Sequence, residues 1–180
     1  MTSPFLVRPA TADDAPVLAR HRAEMFRDMG QLPDELYAPL VDAARAYLAR
    51  AIPAGEYLGW VAAPAERSEE IIAGAGLQLR PVLPRVQRHA GGATVLAVGS
   101  QGLVLNVFTE RAWRRRGVAA LLMRHVIAGA RAAGVSSLVL HASDDGRPLY
   151  ESLGFVPTNE MRYEGELGAT PGASPNEDAG

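Results

Sequence analysis

Six consecutive residues carry the strongest chemical signal in this chain: Arg114-Arg115-Arg116-Gly117-Val118-Ala119. They follow the strand-forming run Leu103 to Phe108 and lead into apolar residues at helical spacing, Val118, Leu121, Leu122, Val126 and Ala130. A helix starting there presents unpaired backbone N–H groups and the positive end of its dipole, and a glycine lets an anion approach closely. The chemistry implied is phosphate binding, reinforced by guanidiniums that stay charged at any working pH. Taken alone, the run reads equally well as solvated surface. Two other phosphate motifs are excluded: no G-x-x-x-x-G-K-[ST] exists, and Gly74-Ala75-Gly76 is followed by Leu-Gln-Leu rather than a closing glycine.

A second stretch downstream completes a pattern. Gly146-Arg147-Pro148-Leu149-Tyr150-Glu151-Ser152-Leu153-Gly154-Phe155 is similar to the G-R-x-L-Y-x-x-L-G-F element of the GNAT family of acetyl-CoA-dependent N-acetyltransferases. Arg114, Gly117 and Ala119 match that family's [Q/R]-x-x-G-x-[G/A] signature. Asn106-Val107-Phe108 resembles its fourth strand, and Trp113 falls where an aromatic residue usually precedes the arginine. The resemblance is carried by Leu103 to Phe155 and is only topological over the first hundred residues. One departure is visible: Arg111 and Ala112 stand where many relatives have a proline and an acidic residue, which alters the stiffness and charge of the turn.

The resemblance implies a mixed α/β (α+β) domain with a mostly antiparallel central sheet flanked by helices, and acetyl-CoA as co-substrate without a metal. By analogy, the strand at Val107 to Thr109 splays away from the strand at Ser137 to His141. The backbone of Val107 and Thr109 then holds the pantetheine arm, and Phe108 N–H polarises the thioester carbonyl. The backbone of Arg114, Arg115, Arg116, Gly117, Val118 and Ala119 takes the pyrophosphate. The implied reaction is attack of a neutral primary amine on the thioester, with Tyr150 matching the tyrosine that protonates the departing thiolate. A half-buried core tyrosine bonded to water is the other reading of Tyr150.

No general base is assigned. Glu110, Glu24, Asp28 and His141 are candidates, and each also reads as a solvated or packed residue. Asn106 faces the cleft or satisfies strand-edge backbone; Arg147 reads as helix-start surface and Ser143 as a turn cap. The acceptor site is expected over the first two helices. There Met25, Phe26, Met29, Leu32 and Tyr37 offer apolar walls, and Glu24, Asp28, Asp34 and Glu35 offer negative charge to a cationic amine. A CoA-binding module without turnover, another acyl donor and an O-acceptor remain as alternatives.

These groups need elements to hold them. Phe5 to Pro9 reads as a strand, and Thr11-Ala12-Asp13-Asp14 as the N-cap and acidic first turn of a helix. Leu18, His21, Met25 and Met29 give that helix a mostly apolar stripe, and Gly30 ends it. Pro39 is placed in the first turn of a second helix carrying Leu40, Ala44, Tyr47, Leu48 and Ala51. Tyr57 to Ala62, Ile71 to Leu79, Ala93 to Val98 and Gly102 to Phe108 read as strands. Arg80 to Gly92 is an irregular loop or a long hairpin connection. A helix from Gly117 to Gly134, a strand from Ser137 to His141, a short helix after Asp145 and a last strand from Val156 to Glu164 complete the order. One domain, residues 1–165, is expected, with residues 166–180 a Gly/Ala/Pro-rich disordered tail.

Composition narrows the class. The chain has 180 residues, 48% of them apolar and 21% charged, with formal net charge −2. That suits one soluble, cytoplasmic domain and gives no global field toward nucleic acid or anionic membrane. No apolar run is long enough to span a bilayer. With no cysteine, disulfides, zinc-thiolate sites and thiol catalysis are excluded. All 18 basic residues other than histidine are arginine, so the protein has no lysine side chain of its own to acetylate. A homodimer is compatible with the fold, though no sequence feature demands one.

Overall fold

The computed structural model describes residues 3–88 and 91–163. Strand β1 (Phe5–Pro9) leads through a 3-10 turn (Ala12–Asp14) into α1 (Ala15–Asp28) and α2 (Asp34–Ala51). Strands β2 (Tyr57–Pro64), β3 (Ala73–Pro81), β4 (Arg85–Arg88), β5 (Thr94–Ala97) and β6 (Ser100–Thr109) follow. A second 3-10 turn (Arg111–Trp113), α3 (Val118–Ala132), β7 (Ser137–Leu140) and α4 (Arg147–Ser152) close the described order. The main sheet runs β1-β2-β3-β6-β7, antiparallel through β6 and parallel between β6 and β7. Helix α3 is therefore the crossover that joins two parallel neighbours.

The two faces of the sheet are covered differently. Val118, Leu122, Met123 and Val126 of α3 pack on Trp60, Ala75, Leu77 and Val104. Leu18 and Ala19 of α1 and Ala44 and Leu48 of α2 pack on Tyr57 and Val61. The glycines of Gly74-Ala75-Gly76 make the second face flat enough for α1. A Cβ on Gly74 would lie 2.7 Å from Leu18 Cδ2, and one on Gly76 only 1.7 Å from the Tyr57 hydroxyl.

Several expectations from the sequence are corrected. Helix α2 starts at Asp34, so Pro39 lies inside it rather than in its first turn. Asp34 and Glu35 supply the negative charge that a helix start favours, and the proline removes a single interior donor. Arg80 to Gly92 takes the hairpin reading: β4 and β5 pair from Arg85↔Ala97 to Arg88↔Thr94 as a separate two-stranded sheet. No strand forms over residues 156–163; Pro157 has no N–H to give a ladder there. Glu164 and the expected tail, residues 166–180, lie outside the described residues.

Replacing Gly76 with alanine tests the close approach of Tyr57. Tyr57 is fully buried and has nowhere to move, so overpacking outweighs any gain in strand propensity. Gly76→Ala is expected to cost about 1–3 kcal/mol, read as a lower denaturant midpoint.

Candidate active site

The site begins where β6 and β7 part. They pair only from Gln101↔Ser137 to Val104↔Leu140, so Leu105 to Thr109 has no strand on that side. On the other side the register slips: Gly76 faces Leu105 and Gly74 faces Phe108, which leaves Ala75 opposite both Asn106 and Val107. This β-bulge bends the strand at Asn106, whose φ is 55°. Asn106 is held there by its neighbours. Arg22 Nη1 donates to Asn106 Oδ1 at 2.6 Å, and Asn106 Nδ2 donates to the Tyr57 hydroxyl at 3.2 Å. Burial pushes the Tyr57 phenol up to about 12 and lowers the Arg22 guanidinium. The Asn106 side chain is thus spent on the strand rather than on the open cleft.

Beyond the bulge, backbone direction alternates. Glu110 N–H donates to Ile72 O at 2.9 Å, and Phe108 stands opposite Gly74, so both turn toward β3. Val107 and Thr109 turn to the open side. By this alternation Phe108 N–H faces β3, while the N–H groups of Val107 and Thr109 face the side that β7 leaves open.

The strand ends in the 3-10 turn, and the chain then bends through Arg115 (φ 62°) and Gly117 (φ 81°) into α3. A side chain at Gly117 would be strained by that φ although the space around it is open. None of the backbone N–H groups from Arg115 to Ala120 is bonded among the described residues, whereas Leu121 N–H already closes the first helical turn on Gly117 O at 3.0 Å. Val118 is buried beneath the helix start, so only its backbone faces outward. Arg114 differs from its neighbours. Its guanidinium donates to Thr109 O at 2.9 Å, lies over the Phe108 ring and pairs with Asp28. Arg111 pairs with the same carboxylate. The Arg116 guanidinium stacks on Trp113, 5.0 Å from the ring centroid. Arg114 thereby braces the loop against β6 and α1.

On the α1 side of β6 lies a cleft of ≈ 300 Å³ lined by Arg20, Glu24, Arg27, Phe108, Glu110 and Arg111. Its carboxylates are all engaged. Glu110 meets Arg20 Nη2 at 2.8 Å and His21 Nε2 at 3.3 Å, while Glu24 accepts from the Tyr37 hydroxyl at 2.7 Å and from Arg27 at 3.2 Å. Burial works against the charge on Glu110, but Arg20 and His21 outweigh it and hold its pKa below the usual carboxylate value. Among the other base candidates, Asp28 is consumed by the two arginines, and His141 is exposed and bonded to Glu160 at 2.7 Å.

His21 was hidden in the apolar stripe of α1, and a polar residue on that stripe was its only sequence signal. Its ring is fully buried and packs on Phe108, 5.0 Å between centroids. Burial, aided by the positive charge of Arg20, lowers its pKa from 6.5 to about 4. Nε2 of the neutral ring lies 3.3 Å from Glu110 Oε1 and 3.4 Å from Arg20 Nη2, and Nδ1 has no partner among the described residues.

Because β6 and β7 are parallel, α4 rises from the same end of the sheet as Thr109. Tyr150 packs against the core, with its ring edge to Phe155 at 6.1 Å between centroids. Gly146 leaves room for it, since a Cβ there would lie 2.9 Å from the Tyr150 ring. Burial raises the phenol's pKa, so it stays protonated at neutral pH. Ser143 Oγ accepts from Gly146 N–H at 3.2 Å and acts as the expected cap. Arg147 is the first residue of α4.

A family model described as an acetyltransferase (GNAT) domain matches residues 42–171. A GCN5-related N-acetyltransferase from Ralstonia eutropha JMP134 is 31% identical, with a TM-score of 0.76 over 88% of this chain and 97% of that one. The chain belongs to the GNAT acetyltransferase family. It is an acyltransferase. Two further solved structures share the fold. A predicted acetyltransferase from Clostridium acetobutylicum, solved with acetyl-CoA, has 22% identity and a TM-score of 0.67 over 88% of this chain and 94% of that one. An aminoglycoside acetyltransferase from an uncultured soil metagenomic sample has 18% identity and a TM-score of 0.63 over 93% and 100%. A search of curated proteins finds no significant match. Among the described residues of this GNAT domain, no helix is long and apolar enough to cross a membrane, and no cluster of three or more His, Cys, Asp or Glu side chains is placed to hold a metal.

The buried histidine gives a pH signature. The unfolded state binds a proton near pH 6.5 and the folded state only near pH 4, so stability is complete above the first value and falls as pH drops toward the second. Between about pH 7 and about pH 5 the wild type is expected to lose roughly 2 kcal/mol that a His21→Gln variant does not lose. Denaturant titrations across that range check it; parallel pH curves for the two proteins would contradict it.

Proposed function

We propose that this enzyme transfers the acetyl group of acetyl-CoA to a primary amine. The observation that carries this reading is the continuity of two backbone donor rows: the free edge at Val107 and Thr109, and the N–H groups from Arg115 to Ala120. Together they suit a ligand with an amide-bearing arm at one end and a diphosphate at the other. A single domain over residues 1–165 holds both.

Acetyl-CoA, when bound, supplies a thioester carbon open to attack. Each chain element has a part. The N–H groups of Arg115, Arg116, Gly117, Val118 and Ala119 hold the diphosphate, and Arg114 keeps that loop against α1. Val107 and Thr109 fix the arm along β6. With Phe108 N–H turned into the sheet, Val107 N–H is the donor we assign to the carbonyl oxygen, where a fixed dipole helps most as charge develops. The ring of Phe108 supplies an apolar wall. Tyr150 donates its proton to the sulfur as the C–S bond breaks. The proton lost from the attacking nitrogen leaves by way of the cleft, where Glu110 and Glu24 stand paired with Arg20 and Arg27.

Calorimetry decides the donor. Gly117→Glu puts a strained, negatively charged side chain at the loop, and it is expected to weaken acetyl-CoA binding by at least about 100-fold while the fold remains intact. Absence of wild-type binding to acetyl-CoA or to longer acyl-CoA would remove the proposal. Tyr150→Phe is expected to lower kcat by roughly 10²–10⁴ with little change in acetyl-CoA affinity, followed by thiol release over an amine panel. Unchanged kcat would return Tyr150 to a packing role.

A further inference from the structure

We propose that the acceptor amine also carries an anionic group, a carboxylate or a phosphate, and that Arg111 receives it. This names the acceptor class of the cleft beside Phe108, and it rests on the acetyl-transfer reading. Three observations carry it. First, the ion pairs of the cleft do not balance. Four guanidiniums, of Arg20, Arg27, Arg111 and Arg114, meet three carboxylates, of Glu110, Glu24 and Asp28. Arg20 has Glu110 and Arg27 has Glu24, whereas Arg111 and Arg114 share Asp28. The excess positive charge therefore sits at the turn after β6, where Arg111 lines the cleft. His21 stays neutral and does not alter the count. Glu24 and Asp28, read from the sequence as attracting a cationic amine, are already used. A cationic acceptor meets only neutralised carboxylates, while an anionic group meets one unmatched guanidinium.

Second, that guanidinium is held in place before any ligand arrives. Arg111 opens the 3-10 turn Arg111–Trp113. The turn is tied by Glu110 N–H to Ile72 O at 2.9 Å and by Trp113 N–H to Glu110 O at 2.8 Å. Arg111 Nε and Nη2 both donate to Asp28 Oδ1, which fixes the planar fork against α1. Its Nη1 has no partner among the described residues. An anionic oxygen takes charge-assisted hydrogen bonds from such a group, and little rotamer freedom is lost on binding. Of the other lining arginines, Arg20 Nη1 and Arg27 Nη2 are likewise without a partner among the described residues. Arg27 is kept over the Tyr37 ring, 4.0 Å from its centroid.

Third, the place suits an acceptor. The cleft of ≈ 300 Å³ lies against Phe108 and Glu110, at the end of the strand whose Val107 and Thr109 face the side left open by β7. That volume belongs to a small-molecule site rather than to a groove for a folded partner. An amine at the β6 edge and an acidic group at Arg111, just past Thr109, then belong to one small molecule.

Matched amine pairs test the proposal, with acetyl-CoA as donor and thiol release as the readout; the chain has no cysteine to add background. The pairs are amino acids with their carboxamides, β-alanine with β-alaninamide, and phosphoethanolamine with ethanolamine. Spermidine is the polycationic control. The best acceptor is expected to be an anionic member, with kcat/KM at least about tenfold above its neutral partner. Arg111→Gln is expected to shrink that preference at least about fivefold. Arg111 is largely exposed and Arg114 keeps Asp28 engaged, so the fold survives the change. Circular dichroism and acetyl-CoA calorimetry verify this. The pair with the larger preference tells carboxylate from phosphate. Three outcomes would each overturn the proposal: a neutral or polycationic best acceptor, no turnover of any anionic member by an enzyme that binds acetyl-CoA, or a preference that survives Arg111→Gln. Saturation-transfer NMR of the same pairs, on the protein without donor, separates the anion site from the donor reading. An anionic member that binds more tightly than its partner, and loses that advantage in the variant, supports the site even where acetyl-CoA fails to bind. Equal binding of both members overturns it.

Discussion

The end of pairing between β6 and β7 is the constraint on which the rest of the site depends. Two parallel strands that stayed together to Thr109 would satisfy every backbone group and leave nothing for a ligand. The bulge at Asn106 prevents that by bending β6, and a left-handed asparagine at a bulge is not a low-energy choice. It persists because Arg22 and Tyr57 hold both ends of its amide. The opening is therefore built by α1 and by β2, not by the strand-to-helix turn beside it.

Charge at the site follows one rule: carboxylates are bound to arginines, while the backbone N–H groups from Arg115 to Ala120 have no partner among the described residues. Glu110, Glu24 and Asp28 each meet at least one guanidinium, so none is a ready proton acceptor. For Glu110 and Asp28 the arginines favour the ionised form and hold the pKa below the usual carboxylate value. Arg22 is the exception among the buried cations. Its partner is an amide oxygen, and its task is the shape of the strand.

The strand-to-helix turn before α3 was legible because it rests on local features: a strand run, an arginine and glycine at fixed spacing, and helical periodicity after them. Strands β1, β2, β3 and β6 were legible for the same reason, as was the β-α-β crossover. Residues whose role comes from non-local contact were not. Asn106 looked like any strand-edge asparagine until the register slip placed it between Arg22 and Tyr57. His21 sat in an apolar stripe, and only the approach of Phe108 and Glu110 explains it. The backbone direction of Phe108 depends on which residue of β3 it opposes, and β-register is a property of pairs of strands. Pro39 and residues 156–163 were misread for a related reason: the start of α2 is set by its acidic first turn, and a last strand needs an edge to join.

The Asp28 clamp has one more consequence. Two guanidiniums from either end of the strand-to-helix turn converge on a single carboxylate near the end of α1, so that helix cannot swing outward without stranding both cations. The α1 wall of the cleft is in effect bolted to the strand-to-helix turn. Change in the shape and charge of that cleft in descendants of this protein would then run through side-chain exchange at Arg20, Glu24 and Arg27 and through the link between α1 and α2, with the helix itself kept in place.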